Sequence, residues 1–187
     1  MMKYNANIKK ICLAALFVAI GIVLPYFTMN IKAFGKMLLP MHYPVMLCGL
    51  ICGESYGLFV GLLLPILRYF IVGTPIIYPT ALAMCVELAT YGFMIGFLYN
   101  RSKYKCIIAL YRSLILTMIV GRIVWGITYF MLLSFIGQKF TAYMFFASAF
   151  VSGIPGIIGQ LIVIPIIAIV INKTKLINVF DNKIIST

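Results

Sequence analysis

The sequence predicts an all-α membrane protein, a compact bundle of six transmembrane helices with the N and C termini in the cytoplasm. Three observations predict this fold class: 64% of the 187 residues are hydrophobic, only 10% are charged, and the mean hydropathy is +1.13. One soluble core could not bury that much apolar surface, so lipid must be the solvent for most of the chain. A closed β-barrel also spans membranes, but its strands alternate apolar and polar residues, and runs such as residues 161–171 do not.

Each transmembrane helix needs roughly 20 apolar residues to cross a hydrocarbon layer of about 30 Å. Short polar breaks divide the chain into six such stretches, which are residues 8–28, 39–53, 55–72, 79–99, 107–133 and 149–171. No long linker or low-complexity tract separates them, so we predict one integral-membrane domain over residues 1–187. The first stretch is long enough to span and lacks a clear cleavage site. We therefore expect it to remain as the first helix.

The second and third stretches are predicted to form a tight helical hairpin. Their junction, CGLICGESYGLFVG, carries a glycine at every fourth position, at residues 49, 53, 57 and 61. Residues 53–55 are the one place where polar groups and a glycine permit a turn. Small residues four positions apart let helix backbones approach closely in a membrane. Glu54 is then expected at the start of the third helix, where its charge complements the helix dipole, with a role in a partner interface as the alternative.

Basic residues predict the orientation. With the N terminus inside, nine basic residues fall in the inner segments and three in the outer loops, as the positive-inside rule requires. The inner residues are Lys3, Lys9, Lys10, Arg101, Lys103, Lys105, Lys173, Lys175 and Lys183, and the outer residues are Lys32, Lys36 and Lys139. The net charge of +12 does not indicate nucleic-acid binding, because these charges flank apolar spans and form no basic aromatic patch. Anionic lipid headgroups explain them better.

The five cysteines lie in or beside the apolar stretches, at positions 12, 48, 52, 85 and 106. Cys48 and Cys52 share a helix face, but no histidine or carboxylate joins them at a spacing typical of metal ligands. We therefore expect small buried residues, and no metal or other cofactor.

Function is expected to depend on the few polar side chains at membrane depth, since each is costly there and usually faces a cavity or a partner. Arg68 lies near the outer end of the third stretch, Glu87 about two turns inside the fourth, and Arg122 well inside the fifth. Trp125 and Tyr129 follow Arg122 on the same helical face.

These groups all fall in the outer halves of their helices, which predicts a pocket open to the outside. Two arginines against one carboxylate leave a surplus positive charge, which suits a small anion or carboxylate, with Trp125 and Tyr129 as apolar walls. Gln160, one turn after Gly156 in the sixth stretch, is a further candidate. The alternative is that Arg68 or Arg122 simply pairs with Glu87 to hold the bundle together.

Two outer loops and one histidine add candidate binding residues. Residues 29–40 form a long outer loop that we expect to cover a ligand. Residues 73–79, stiffened by two prolines, place Tyr78 at the same rim. His42, the only histidine, heads the second helix, either as an interface residue or as a hydrogen-bonding partner of a ligand.

Several stretches together resemble a known family. The six short helices, the first outer loop, and the segments PMHYPVMLCGLICGESYGLFVGLLLPILR, YPTALAMCVELATYGFMIGFLY and GIPGIIGQLIVIPII are similar to those of the substrate-binding S components of energy-coupling factor (ECF) vitamin transporters. In the first helix, Ala15 and Ala19 match the Ala-x-x-x-Ala signature by which S components dock on the coupling subunit. That pattern is also a common packing motif in membranes.

The resemblance implies capture of a vitamin or related micronutrient outside the cell by a multi-pass protein of the bacterial cell membrane. It also implies that the protein topples in the membrane, driven by a transmembrane coupling subunit and two ATPase subunits in separate chains. The chain itself has no phosphate-binding loop motif and is not expected to be an enzyme. By position, the family's pocket corresponds here to Asn30, Lys36, Glu87, Arg122, Trp125, Tyr129 and Gln160. The positive surplus favours pantothenate, niacin, biotin or a folate over thiamine, and pantothenate most of all.

Two other classes remain as alternatives. An intramembrane enzyme would need a catalytic dyad, yet Glu87 and His42 are the only acid and imidazole near the membrane, and no known catalytic motif contains them. A stand-alone carrier or channel would be expected to show a polar path through both halves of the membrane, and often an inverted repeat. The sequence shows neither feature.

Overall fold

Six α-helices form the described part of the chain in the computed structural model, which covers residues 2–29, 39–135, 137 and 153–173. The helices are α1 (Met2–Met29), α2 (His42–Cys52), α3 (Glu54–Val72), α4 (Leu82–Arg101), α5 (Ile107–Phe135) and α6 (Ile154–Lys173). A short π-helical turn, Ile77–Ala81, leads into α4. No strand occurs in these ranges, which confirms the all-helical prediction.

Five of the helices are long and apolar enough to cross a membrane, namely α1, α3, α4 with its preceding turn, α5 and α6. Helix α2 has 11 residues, so at 1.5 Å per residue it is only about 16 Å long. The prediction of six apolar helices is confirmed, but the prediction that every one spans the membrane is not confirmed for α2. The cytoplasmic placement of the termini stays a prediction, and residues 149–152, where the sixth span was expected to begin, lie outside the described residues.

Helix α2 is the central helix of the bundle. Every residue of α2 except Ile51 is buried, and its neighbours are α4, α3, α1 and α6. A helix that is apolar all round is buried either among other helices or in lipid, and the neighbouring helices bury α2. The short helix is therefore held by its neighbours on all sides.

The predicted hairpin between α2 and α3 is confirmed. Helix α2 ends at Cys52, Gly53 adopts a φ of 106°, and α3 begins at Glu54. This backbone conformation is one that residues with a Cβ rarely adopt, which explains the glycine at the turn. Glu54 lies in the first turn of α3 and is partly exposed, as expected for a carboxylate at a helix N terminus.

The glycines of the hairpin bring three helices together rather than two. A methyl group built on Gly57 would lie 2.6 Å from the Cα of Gly49, which confirms the close approach of α2 and α3. The same methyl group would collide with the backbone of Gly92, and one on Gly96 would lie 2.8 Å from the Cα of Glu54. Glycines of α4 thus complete a backbone contact that the hairpin alone did not predict.

Gly92→Ala is expected to destabilise the protein, because the added methyl group meets the carbonyl group of Gly57, which cannot move without shifting α3. Overpacking of this kind costs about 1–3 kcal/mol, which corresponds to a fall in the thermal midpoint on the order of 5 °C. Thermal unfolding of the detergent-purified protein measures the change. Val86→Ile, which adds one carbon to an exposed position of α4, is the matched control and should leave the midpoint unchanged. Equal midpoints for both variants would contradict the role given to Gly92.

The length of α2 determines which side chains surround its N-terminal end. Helices α2 and α3 leave the same turn in antiparallel directions, and α3 is eight residues longer, 19 against 11. The N-terminal end of α2 therefore stops about 12 Å short of the C-terminal end of α3. Side chains on the neighbouring helices can converge over this end.

Candidate functional site

A buried ion pair lies beside the N-terminal end of α2. The Arg122 Nη1 atom on α5 is 3.1 Å from the Glu87 Oε1 atom on α4. Both residues are almost completely buried, Glu87 at 2% exposure and Arg122 at 6%. The pairing of one arginine with Glu87, which the alternative drawn from the sequence expected, is present for Arg122. Pairing offsets much of the large cost of burying either charge alone.

His42 joins this pair from α2. Its Nε2 atom lies 3.5 Å from the same Glu87 Oε1 atom, and the residue is 1% exposed. The ring of Tyr91 meets the imidazole edge to face at a centroid distance of 5.0 Å, and the Tyr91 hydroxyl donates to the Met118 carbonyl oxygen at 3.4 Å. Because α2 is short, its first residue, His42, lies level with Glu87, which is several residues from either end of α4.

A glycine makes room for the aromatic ring in this arrangement. A methyl group on Gly121 would lie 2.7 Å from the Tyr91 ring, so only a glycine lets α5 pack this closely against α4. Arg122 follows immediately and reaches Glu87 across the contact. The close packing at Gly121 therefore brings the Arg122 guanidinium within reach of the Glu87 carboxylate.

Arg68 of α3 lies at the same end of the bundle. It is 7% exposed, and its Nη1 atom donates to the Met41 Sδ atom at 3.1 Å. A thioether is a weak acceptor. Met41 directly precedes His42, so Arg68 is linked to the His42, Glu87 and Arg122 group through α2. We call these four residues the charged cluster.

Seven buried side-chain nitrogen and oxygen atoms have no hydrogen-bond partner among the described residues, and two of them belong to residues outside the charged cluster. They are Gln160 of α6, through its Nε2 atom, and Thr117 of α5, through its Oγ1 atom. Gln160 is 1% exposed and Thr117 is fully buried. An unpaired buried amide is costly, so Gln160 has unused capacity to bind a polar group.

The predicted rim residues lie further toward the ends of their elements. Trp125 and Tyr129 stack on each other, with ring centroids 5.1 Å apart, which confirms that they share a face of α5. The exposed Tyr78 donates its hydroxyl to the Leu132 carbonyl oxygen and so ties the loop before α4 to α5. Asn30 and Lys36, the candidates in the first outer loop, lie outside the described residues.

The sequence missed two residues that contact the charged cluster, Tyr91 and Met41, and one buried polar residue of α5, Thr117. Tyr91 stands four positions after Glu87 on the same helical face, a spacing that could have identified it. Met41 and Thr117 carried no such signal, because a methionine before a helix and a threonine inside one are ordinary in apolar segments. Their positions depend on contacts between helices distant in sequence.

One cavity formed by described residues lies away from the charged cluster. It has a volume of about 510 Å³ and lies where α4 ends and α5 begins, with Arg101 and Arg112 among its lining residues. Fourteen residues of α4, about 21 Å, separate Glu87 from Arg101. A pocket at the cluster therefore stays a prediction, and residues 30–38, the expected cover, lie outside the described residues.

The cysteines carry no metal site in the part of the chain that the structure describes, where no three or more His, Cys, Asp or Glu side chains group together. Cys48, Cys52 and Cys85 are buried, as expected, but Cys12 is exposed, so the expectation of a buried residue is wrong there. Cys12 lies on the outward face of α1, where it contacts lipid and not other helices of the bundle.

The two alanines predicted to dock on a coupling subunit are on the open face of α1. Ala15 and Ala19 are exposed, whereas Ala14 and Phe17 on the opposite face are buried against the bundle. Small side chains on an outward face leave a smooth surface on which another helix can approach closely.

An all-helical bundle with five apolar helices of spanning length, and charged side chains buried inside it, defines a multi-pass protein of the cell membrane. The family model described as ECF transporter, substrate-specific component matches residues 9–168, and the chain belongs to this family. Such components are the substrate-binding subunits of transporters rather than enzymes, and they work with ATPase and transmembrane coupling subunits. No curated protein and no solved structure matches the chain.

Proposed function

We propose that this protein is the S component that captures an anionic vitamin or related micronutrient, with pantothenate as the favoured ligand. It acts as one membrane-embedded domain with both termini in the cytoplasm. The observation that carries the proposal is the charged cluster, which gathers buried ionisable groups of four helices at one end of the bundle.

Charge decides the ligand class. The cluster holds two arginines and one carboxylate, so its arginines outnumber its carboxylates. Arg122 pairs with Glu87, and Arg68 is the second guanidinium of the cluster. A ligand carboxylate would be held there by charge-assisted hydrogen bonds in a site of low polarity.

Polar side chains that we assign to the site support pantothenate over the other anionic vitamins. Pantothenate carries hydroxyl and amide groups besides its carboxylate, and the amide of Gln160 and the carboxylate of Glu87 provide a donor and an acceptor for them. Trp125 and Tyr129 would form an apolar wall. One tryptophan gives less stacking surface than a flavin or pterin ring would use. We assign Tyr78, Asn30 and Lys36 to the rim and cover of the same site.

Delivery of the ligand requires the partner subunits. We propose that Ala15 and Ala19 form the docking face for the coupling subunit, supported by their exposure on the outward side of α1. The ATPase subunits, on separate chains, would then supply the energy for toppling and release.

Trp125 offers a direct test of ligand class, because it is the only tryptophan in the chain and stacks on Tyr129, and we assign both to the wall of the site. Titration of the purified protein with pantothenate, nicotinate, biotin and thiamine should change Trp125 fluorescence for an anionic vitamin, with pantothenate binding tightest. One charge-assisted hydrogen bond corresponds to a preference of about 10- to 100-fold over thiamine. Calorimetry on Trp125→Phe provides a second readout.

Arg68→Gln should remove most of that preference, whereas Arg101→Gln, which removes a guanidinium at the other end of the bundle, should leave it unchanged. Thiamine binding as tightly as the anions would contradict an anionic ligand. If Arg68→Gln and Arg101→Gln reduce the preference for anionic vitamins equally, the charged cluster is not the binding site.

A further inference from the structure

The cavity between α4 and α5 is a second candidate site, separate from the charged cluster. Its volume of about 510 Å³ falls in the range of small-ligand pockets. Basic and apolar side chains line it together. The basic ones are Arg101, Lys103 and Arg112, and the apolar ones include Phe97, Ile108 and Leu116. The described lining residues include no carboxylate, so they offer net positive charge.

The cations lie where a membrane places its headgroups. Arg101 is the last residue of α4 and Ile107 the first of α5, so the cavity lies at the ends of two apolar helices of spanning length. Arg112 is five residues further into α5, about 7.5 Å, a depth from which a long side chain reaches back to the interface. All three cations are exposed rather than buried in ion pairs.

Aromatic packing positions one of these cations. The Arg101 guanidinium carbon lies 4.8 Å from the centre of the Phe97 ring, a cation–π distance. An arginine held by an aromatic face still presents N–H groups at its edge, and these match the oxygens of a phosphate. Arg101 is therefore oriented before any ligand arrives.

The apolar part of the lining continues onto the lipid-facing side of α5. Ile108 is 75% exposed, and Ile115, Leu116 and Ile119 follow along the same helix with exposures between 41% and 51%. A free phosphate ion would need only the cations. A ligand that also uses this apolar surface must carry hydrocarbon chains next to its phosphate.

We propose that this cavity binds the phosphate headgroup of an anionic membrane lipid, with its acyl chains along Ile108 and Leu116. Basic pockets between membrane helices are suited to such headgroups because phosphate is held there at the level of the interface. The proposal depends neither on the vitamin nor on which side of the membrane the cavity faces.

Lipid binding to the delipidated full-length protein tests the proposal. The protein is placed in phosphatidylcholine nanodiscs and titrated with phosphatidylglycerol, and retained lipid is measured by native mass spectrometry. Arg101→Gln with Arg112→Gln should weaken phosphatidylglycerol retention about 10- to 30-fold. The matched control, Lys9→Gln with Lys10→Gln, removes two exposed cations from α1 and should have little effect.

Three outcomes would overturn the proposal. Equal losses in both double variants would mean that surface charge alone attracts the lipid. Glycerol 3-phosphate or inorganic phosphate displacing the lipid at equal concentration would mean that the site binds soluble anions. Unchanged lipid retention in Leu116→Gln, which keeps every cation, would exclude the acyl-chain contact. If the double arginine variant does not fold, Arg112→Gln alone decides, with an expected loss of about fivefold.

Discussion

Replacing Arg122 by alanine is expected to destabilise the protein by about 3–5 kcal/mol and to weaken binding of an anionic ligand about 10- to 100-fold. The reason is the position of Glu87, which is 2% exposed and lies 3.1 Å from the arginine. Without Arg122, a buried carboxylate loses its compensating charge and repels an incoming anion. Thermal unfolding and calorimetric titration with pantothenate measure the two effects.

The double variant Glu87→Gln with Arg122→Ala separates two roles for the arginine. Removing both charges should recover most of the stability, since no uncompensated charge remains. If Arg122 only neutralises Glu87, ligand affinity recovers as well. If Arg122 also contacts the ligand, affinity stays low. A single Arg122→Ala variant with unchanged stability and unchanged affinity would contradict both roles and exclude Arg122 from the site.

Ala15→Trp is expected to abolish uptake by the assembled transporter while ligand binding to the isolated chain stays intact. Ala15 is exposed on α1, away from the charged cluster, and an indole there would keep a partner helix from close approach. Two measurements distinguish loss of transport from loss of binding. They are uptake of labelled ligand into vesicles that contain all subunits, and ligand binding to the isolated chain.

The control places the same indole elsewhere on the lipid-facing surface. Ile119→Trp on α5 changes an exposed apolar position, and uptake should remain near wild type. Normal uptake with Ala15→Trp would contradict the docking role of α1. Loss of binding with Ala15→Trp would show damage to the fold and would equally refute the separation of docking from capture.

Much of the candidate site could be predicted because charge is costly in lipid. Arg68, Glu87 and Arg122 were singled out by that cost, and the structure brings Glu87 and Arg122 into contact and links Arg68 to them through Met41 and His42. Asn30 and Lys36, predicted for the cover of the site, stay predictions because they lie outside the described residues. The sequence could not foresee Tyr91 packing on His42, because that contact joins α2 and α4 across almost fifty residues.

The sequence by itself determined the solvent of the chain, the number of apolar helices, the hairpin at Gly53 and the groups that would have to be buried together. These follow from composition, spacing and local backbone conformation, which are properties of single segments. Only the tertiary structure decided that α2 is a short central helix, that Gly92 completes the glycine contact, and that the cavity lies beside Arg101. Hydropathy identifies the residues that avoid water. In a membrane it does not show which helix face packs against another helix and which contacts lipid acyl chains, because both surroundings are apolar.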